Sequence, residues 1–460
     1  MSSSPWMPAF AGRAIRGLLL AAVVFGSGTV ARGQFFSQAV GGISVDAAGV
    51  LSNAEADHNG LRQYWLDNLQ PVEGDLNQPS KLRKISLRGI EKALQEIVQT
   101  EGRVPDELRF LAGLQRVEYV FVYPDQNDVV LAGYAEGWKV DARGNMVGVT
   151  TGRAVMQLDD LLIALRSSQA AARGSITCSI DPSAEGLVRV QNMPGNVLTG
   201  SVALPGPDAQ SVGDAIAREL GPQTISFHGI PADSRFAHVL LGADYRMKRL
   251  GMNFDPSPVK GFTSYLNLLK SLNKPGAQNL LPRWWMTTNY QPLLTDGNGL
   301  AWQLRGQGVK TMSEDDFLAR DGSRKQSGKA SPLAQKWADQ MTRKYNELSL
   351  KEPIFGELRN CIDLAVVAAL IFKENLADKA GLALTTLLSA EQFPTHEYKT
   401  PKQIDSKATV VEAKYGYIIS ASGGVEINSW AEVVKSEVSE ELAPLRTHAD
   451  EQRGDRWWWN

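Results

Sequence analysis

Few side chains in this sequence stand in the company that chemistry needs. Glu136 lies two residues from Trp138 in "AEGWKV", so on a strand the two share a face, with small Ala135 and Gly137 beside them. An apolar wall raises a carboxyl pKa, which is one way to hold a general acid protonated near neutrality. Glycoside-type hydrolysis also needs a second carboxylate at a set distance, and spacing assigns neither Asp128 nor Asp141 to that place. The residues favour the plainer alternative, a strand-edge Glu that is solvated or paired with Lys139 or Arg153. His228 in "SFHGIP" closes an expected strand at a Gly turn, where loops often carry function, but no acid or nucleophile accompanies it. Ordinary packing or surface placement is favoured for it.

Other catalytic constellations are missing from the sequence. His58, His228, His238, His396 and His448 form no H-E-x-x-H or other short pairing, so neither a metal site nor a cofactor is expected. There is no G-x-S-x-G, and Ser271 to Lys274 lacks the S-D-N and K-T-G companions of an S-x-x-K enzyme. The glycines of "DGNG" and "RGQG" match no phosphate-binding loop. Aromatic residues make the other candidate set: Trp284 and Trp285 follow Arg283, and Trp457, Trp458 and Trp459 close the sequence. Neighbouring strand residues point to opposite faces, so one of Trp284 and Trp285 should pack inward and the other face outward or meet another domain. An outward Trp on an exported protein suits sugars, peptides or a membrane interface, which makes this pair the binding candidate; packing between domains is the favoured alternative.

The stretch "WKVDARGNMVGVTTG", residues 138–152, gathers an acid, a base and glycines as a catalytic loop would. Asp141 first and Gly144 fourth fit a type I turn with a left-handed closing residue, and V-D-A-x-G recurs at residues 45–49. A device used twice in different surroundings is architecture.

The elements that would position these residues follow from periodicity. Leu87, Ile90, Leu94, Ile97 and Val98 keep helical spacing. "RVEYVFVYP", "DVVLAGY", "EGWKV" and "NMVGV" read as an antiparallel meander, and "LDDLLIALR" as a helix capped by Asp159 or Asp160. Prolines and glycines at 194, 195, 205, 206 and 207 mark a boundary or excursion. Helix, strand and helix then alternate from "VGDAIARELG" through "QTISFHGI" to "ADSRFAHVLLGADYRMKRLG", and "DGNG" signals a hairpin. Two helices are expected at about 332–349 and 354–377, the second carrying "IDLAVVAALIF", too short to span a membrane and suited to a core. The fold class is α+β: an antiparallel meander plus two-layer α/β sandwich units, with a C-terminal helical pair. The expected segments are 1–33 (signal peptide), 34–175 (N-terminal α+β domain), 176–318 (central α/β domain with the tryptophan-bearing hairpin), 319–331 (flexible linker), 332–440 (helical pair and terminal strands) and 441–460 (charged tail ending in tryptophans).

Arg13 and Arg16 precede the apolar run "GLLLAAVVFGSGTV", and small Ala31 and Gly33 flank a bond before Gln34, the pattern of a cleaved secretory signal. Its removal takes three arginines and no acid, so the formal charge falls from −2 to −5, which disfavours nucleic acid as a partner. No transmembrane segment remains after cleavage. Only Cys178 and Cys361 serve an exported chain, and both should point inward. They allow one long-range disulfide or, as the favoured alternative, two unpaired buried thiols.

The phrases "LAGLQRVEYVFVYPDQNDVVLAGYAEGW", "QLDDLLIALR", "CSIDPSAEGL", "ADYRMKRLGM" and "GLAWQLRGQGVK", spread over about residues 110–310, together resemble an exported family of planctomycete bacteria carrying a domain of unknown function. The resemblance implies a periplasmic or secreted setting and brings no activity or site residue with it. The expected role is non-catalytic, binding or assembly in the cell envelope with an envelope protein or polysaccharide as partner; the rival is a carboxylate-dependent envelope hydrolase with Glu136 as its acid.

Overall fold

In a computed structural model the described residues are 43–45, 49–53, 61–193, 209–271, 282–318, 324–326, 328–413, 416–418 and 422–460. The expected signal peptide and the Pro/Gly excursion at 194–207 lie outside them. Helices and mixed sheets combine in an α+β fold. Among the described residues, one nine-stranded sheet runs in the order Ile43–Val45, Val50–Asn53, Gln403–Ile404, Gln223–His228, Ile176–Pro182, Ser422–Ile427, Pro282–Asn289, Gly308–Leu318, Arg324–Gln326. Its parallel pairs are Val50–Asn53 with Gln403–Ile404 and Ser422–Ile427 with Pro282–Asn289. A seven-stranded sheet runs Ser436–Val438, Leu293–Thr295, Ala301–Gln303, Tyr119–Tyr123, Asp128–Ala135, Ser80–Ser86, Trp458–Trp459.

Both sheets draw strands from regions far apart in the chain, so the division at 175, 318 and 331 does not follow them; Phe36–Asn460 clusters as one unit. Local pattern specifies strands but not their distant partners, which is why successive domains were expected. Arg324–Gln326 pairs with the end of Gly308–Leu318, so this part of the expected linker is a hairpin arm, while 319–323 and 327 lie outside the described residues. The expected meander divides as well. Tyr119–Tyr123 and Asp128–Ala135 pair within the sheet, whereas Trp138–Val140 and Met146–Gly148 form a separate two-stranded ribbon. The charged tail is structured: Leu442–Glu451 is helical and Trp458–Trp459 forms an edge strand on Ser80–Ser86.

Helix Leu87–Thr100 starts where Ser86 Oγ accepts from Gly89 N at 2.8 Å, and it buries Leu87, Ile90 and Leu94. Helix Arg235–Gly251 is capped by Ser234 and packs on Ile176–Pro182 and Ser422–Ile427. Helix Pro353–Lys373 packs on it and on Leu158–Ala171, and is buried from Pro353 to Ile371 on every side. Two of its buried polar side chains reach neighbouring elements: Asn360 Nδ2 donates to Ala154 O at 3.1 Å, and Asp363 accepts from Arg116 Nε at 2.9 Å.

Candidate functional site

The D-A-R-G stretch closes the ribbon as a turn. Asp141 Oδ1 accepts from the backbone N–H of Arg143 and of Asn145, both at 2.8 Å, and Gly144 takes a φ of 85°. Val140 faces Met146 across the loop as Val45 faces Leu51 across the other copy of the pattern. Arg143 reaches out to Glu352 Oε2 at 2.6 Å, so the base of the motif clamps the ribbon to the start of helix Pro353–Lys373.

Glu136 is fully buried and accepts from Gln115 Nε2 (2.8 Å), Thr151 N (2.9 Å), Thr151 Oγ1 (2.5 Å) and Thr150 N (3.3 Å). Burial pushes its pKa up, but the bonds from Thr151, Gln115 and Thr150 outweigh it and hold the carboxyl below its ordinary value. A general acid needs the opposite, so the acid role is corrected, and so is the solvated or Lys139/Arg153-paired alternative. Lys139 Nζ donates instead to Val149 O at 3.0 Å. Gly148 is required here, because a Cβ on it would lie 2.0 Å from Glu136 Oε1. Trp138 packs in the core, its ring 5.7 Å from Phe110. His228 sits exposed at the last position of its strand, opposite Thr177.

Trp284 is fully buried, with its ring 4.3 Å from Trp337 and 5.1 Å from Tyr265, and is corrected from binding candidate to core residue. Trp285 faces the other way, half-buried, with the Arg283 guanidinium 5.1 Å from its ring. Cys178 and Cys361 are buried free thiols, so the disulfide alternative is set aside; burial pushes both thiols well up. Among the described residues no group of His, Cys, Asp and Glu could hold a metal ion, and no helix is long and apolar enough to cross a membrane.

Two cavities stand out among the described residues. The larger, about 1120 Å³, opens between the first turns of Leu87–Thr100, the Glu73–Leu76 loop and the C-terminal strand. The strand is held firmly: Ser86 N donates to Trp457 O at 2.8 Å and Trp459 Nε1 to Ala449 O at 2.8 Å. The Trp458 ring lies between the guanidiniums of Arg83 (5.3 Å) and Arg456 (5.2 Å), and that of Trp459 against Arg453 at 4.5 Å. Burial lowers Arg83 to about 10 and Lys84, paired opposite Trp459, to about 8. Trp457 is half-buried on the cleft wall, which Arg88, Lys92, Asp75 and Asp455 also line.

The smaller cavity, about 220 Å³, lies at the C-terminal end of helix Arg235–Gly251. Tyr245, Lys248, Arg249 and Met252 line it from one helical stripe at i, i+3, i+4 and i+7. Leu51 and Ile404 face each other across adjacent strands of its floor, with Ile180 beyond. Lys248 Nζ donates to Asp244 Oδ2 (2.8 Å), Ile180 O (3.1 Å) and Gly423 O (3.3 Å), and burial pushes Asp244 up to about 6.

Residues 178–265 match a family model described as "Protein of unknown function (DUF1598)". The match covers the helical stripe, Ile180 and Phe254 of the smaller cavity, while Leu51 and Ile404 lie outside it. No curated protein and no solved structure matches the chain. Sequence reasoning missed both cavities. The triple tryptophan and the basic phrase "ADYRMKRLGM" were the visible signals, but the loop and strands that complete each cavity come from far along the chain.

Proposed function

We propose that the protein is an exported, non-catalytic binding or assembly component of the cell envelope, and that a polysaccharide lies in the tryptophan cleft. The observation that carries this reading is the cleft itself: an open volume of about 1120 Å³ lined by a half-buried Trp457 together with cationic and acidic side chains. Sugars use an aromatic face for their C–H surface and mixed polar groups for their hydroxyls. The carbonyl of Trp457 is held by Ser86 N, so its ring is positioned by a backbone bond just ahead of the edge strand Trp458–Trp459. The rival hydrolase reading loses its support with Glu136, which is enclosed and held ionised. Export rests on the arginine-flanked apolar run ahead of Gln34.

Titration of the full mature chain with soluble fragments of envelope polysaccharide, followed by tryptophan fluorescence and calorimetry, tests the proposal. Trp457→Ala should weaken binding by roughly tenfold, about 1.4 kcal/mol, while the melting temperature stays within a few degrees. Binding indifferent to Trp457→Ala, or turnover of the polysaccharide, would overturn it.

A further inference from the structure

We infer that the smaller cavity is a separate binding site for a small monocarboxylate with an aromatic or aliphatic body. Its inner walls are apolar: Leu51, Ile180, Met252 and Ile404 are all buried, and Phe254 adds a half-buried ring. The volume of about 220 Å³ decides the size of the guest. A dry cavity of about 150 Å³ takes benzene, so this one has room for a benzene-sized body and a carboxylate besides. Drug-sized ligands need roughly 300 Å³ or more and are excluded.

Charge decides the head group. Lys248, Arg249 and Lys407 line the cavity against a single carboxylate, Asp405, while the acids that balance Lys248 and Arg249, Asp244 and Asp255, stand behind the wall. Lys248 is not the anion's seat, since its three donors go to Asp244, Ile180 and Gly423. Arg249 is better placed. It gives Nε and one Nη2 hydrogen to Asp255 (2.7 and 2.6 Å) and one Nη1 hydrogen to Tyr245 Oη (3.2 Å), which leaves two of the roughly five guanidinium donors for a ligand. The exposed Lys407 supplies a second cation at the mouth. An anionic head at Arg249 and Lys407 with an apolar tail between Leu51, Ile404 and Met252 satisfies both parts of the site.

The full mature chain is titrated with phenylacetate at low ionic strength by calorimetry and ligand-observed NMR, beside phenylacetamide, which keeps the body without the charge, and acetate, which keeps the charge without the body. Phenylacetate is expected to bind in the millimolar range or tighter, with each comparison compound weaker by about tenfold or more. Ser52→Trp, at an exposed position on the rim, should close the mouth and abolish binding, and Lys407→Met should weaken it by roughly three- to tenfold, both with unchanged melting temperatures. Equal binding of phenylacetamide would overturn the anionic head, and equal binding of acetate the apolar body. Undiminished binding to Ser52→Trp would place the ligand elsewhere, and no phenylacetate binding to the folded wild-type chain would remove the site.

Discussion

Replacing Asp160 with asparagine should flatten the loss of stability that accompanies rising pH in the weakly acid range. Asp160 on Leu158–Ala171 and Glu357 on Pro353–Lys373 both pair with one guanidinium, that of Arg235, which lies 2.9 Å from Glu357 Oε1. All three are buried, and Glu357 Oε2 has no hydrogen-bond partner, so the cluster carries one more negative charge than positive when both acids are ionised. His238, Cys361, Tyr398 and Asp159 are the other titratable groups around Arg235 and Asp160. Burial, only partly opposed by Arg235, raises Asp160 from 3.8 to about 6. The folded state therefore keeps this proton longer than the unfolded chain does. Its contribution is fully present below pH 3.8, falls as pH rises towards about 6 and is gone above that. The difference between 3.8 and about 6 corresponds to about 3 kcal/mol in full. Urea unfolding of the wild type and of Asp160→Asn at pH values from about 4 to 7 gives the difference in stability directly. That difference should move in the variant's favour by about 2 kcal/mol across the range, most of the full amount, because the amide cannot ionise. Asp244, also near 6, titrates in both proteins and cancels. Parallel curves would show that Asp160 has no raised pKa and that the cluster is balanced in some other way.

Trp284→Ala should cost about 3–5 kcal/mol in chemical denaturation and Trp285→Ala about 1 kcal/mol or less, since the first ring is packed in the core and the second is half-buried beside Arg283; equal effects would refute the assigned faces. Glu136→Gln should lose about 1–3 kcal/mol at neutral pH, because its amide nitrogen must stand against the Thr150 N–H or, turned over, against the Gln115 and Thr151 donors. The lowered pKa of Glu136 means that its contribution is present above the unfolded value and lost as pH falls, so the substituted protein should lack this acid limb in a pH series of melts. Cys178 and Cys361 should both resist a maleimide reagent in the native chain and react together on unfolding, as mass spectrometry would show; selective labelling of either would place it at the surface. The intact mass of natively exported protein should correspond to a chain beginning at Gln34, and retention of the apolar run would refute the signal peptide.

Helices were the legible part, because their signal is local. The spacing of Leu87, Ile90 and Leu94 and the apolar run from Ile362 to Phe372 lead to Leu87–Thr100 and Pro353–Lys373, with Ser86 as a cap that the reading did not single out. Sheet partners were not legible, since nothing near Trp458 says that it will face Ile85, and nothing near Ile404 says that it will face Leu51. Glu136 was misjudged for a related reason. Its charged neighbours in sequence, Lys139 and Arg153, point to ion pairing, whereas its actual partners are neutral, Thr150 and Thr151 across the ribbon and Gln115 on the preceding segment. The stripe of Tyr245, Lys248, Arg249 and Met252 was visible in its spacing, but a stripe with cations in it also fits a solvated helix face, and only the strands opposite make it a cavity wall.

The segment 178–265 that matches a family model is not a self-contained body. Strands Ile176–Pro182 and Gln223–His228 pair with each other in the interior of the nine-stranded sheet, and their outer edges are taken by Gln403–Ile404 on one side and Ser422–Ile427 on the other. Cut out alone, the segment would leave both strand edges unpaired and would expose the face of Arg235–Gly251 that packs on Pro353–Lys373. The buried guanidinium of Arg235 would also lose Asp160 and Glu357, both of which lie outside the segment. Its function must therefore be sought where it meets the rest of the chain. The smaller cavity is such a place: the segment supplies the roof with Lys248 and Arg249, and the rest of the chain supplies Lys407 at the mouth and the apolar floor of Leu51 and Ile404.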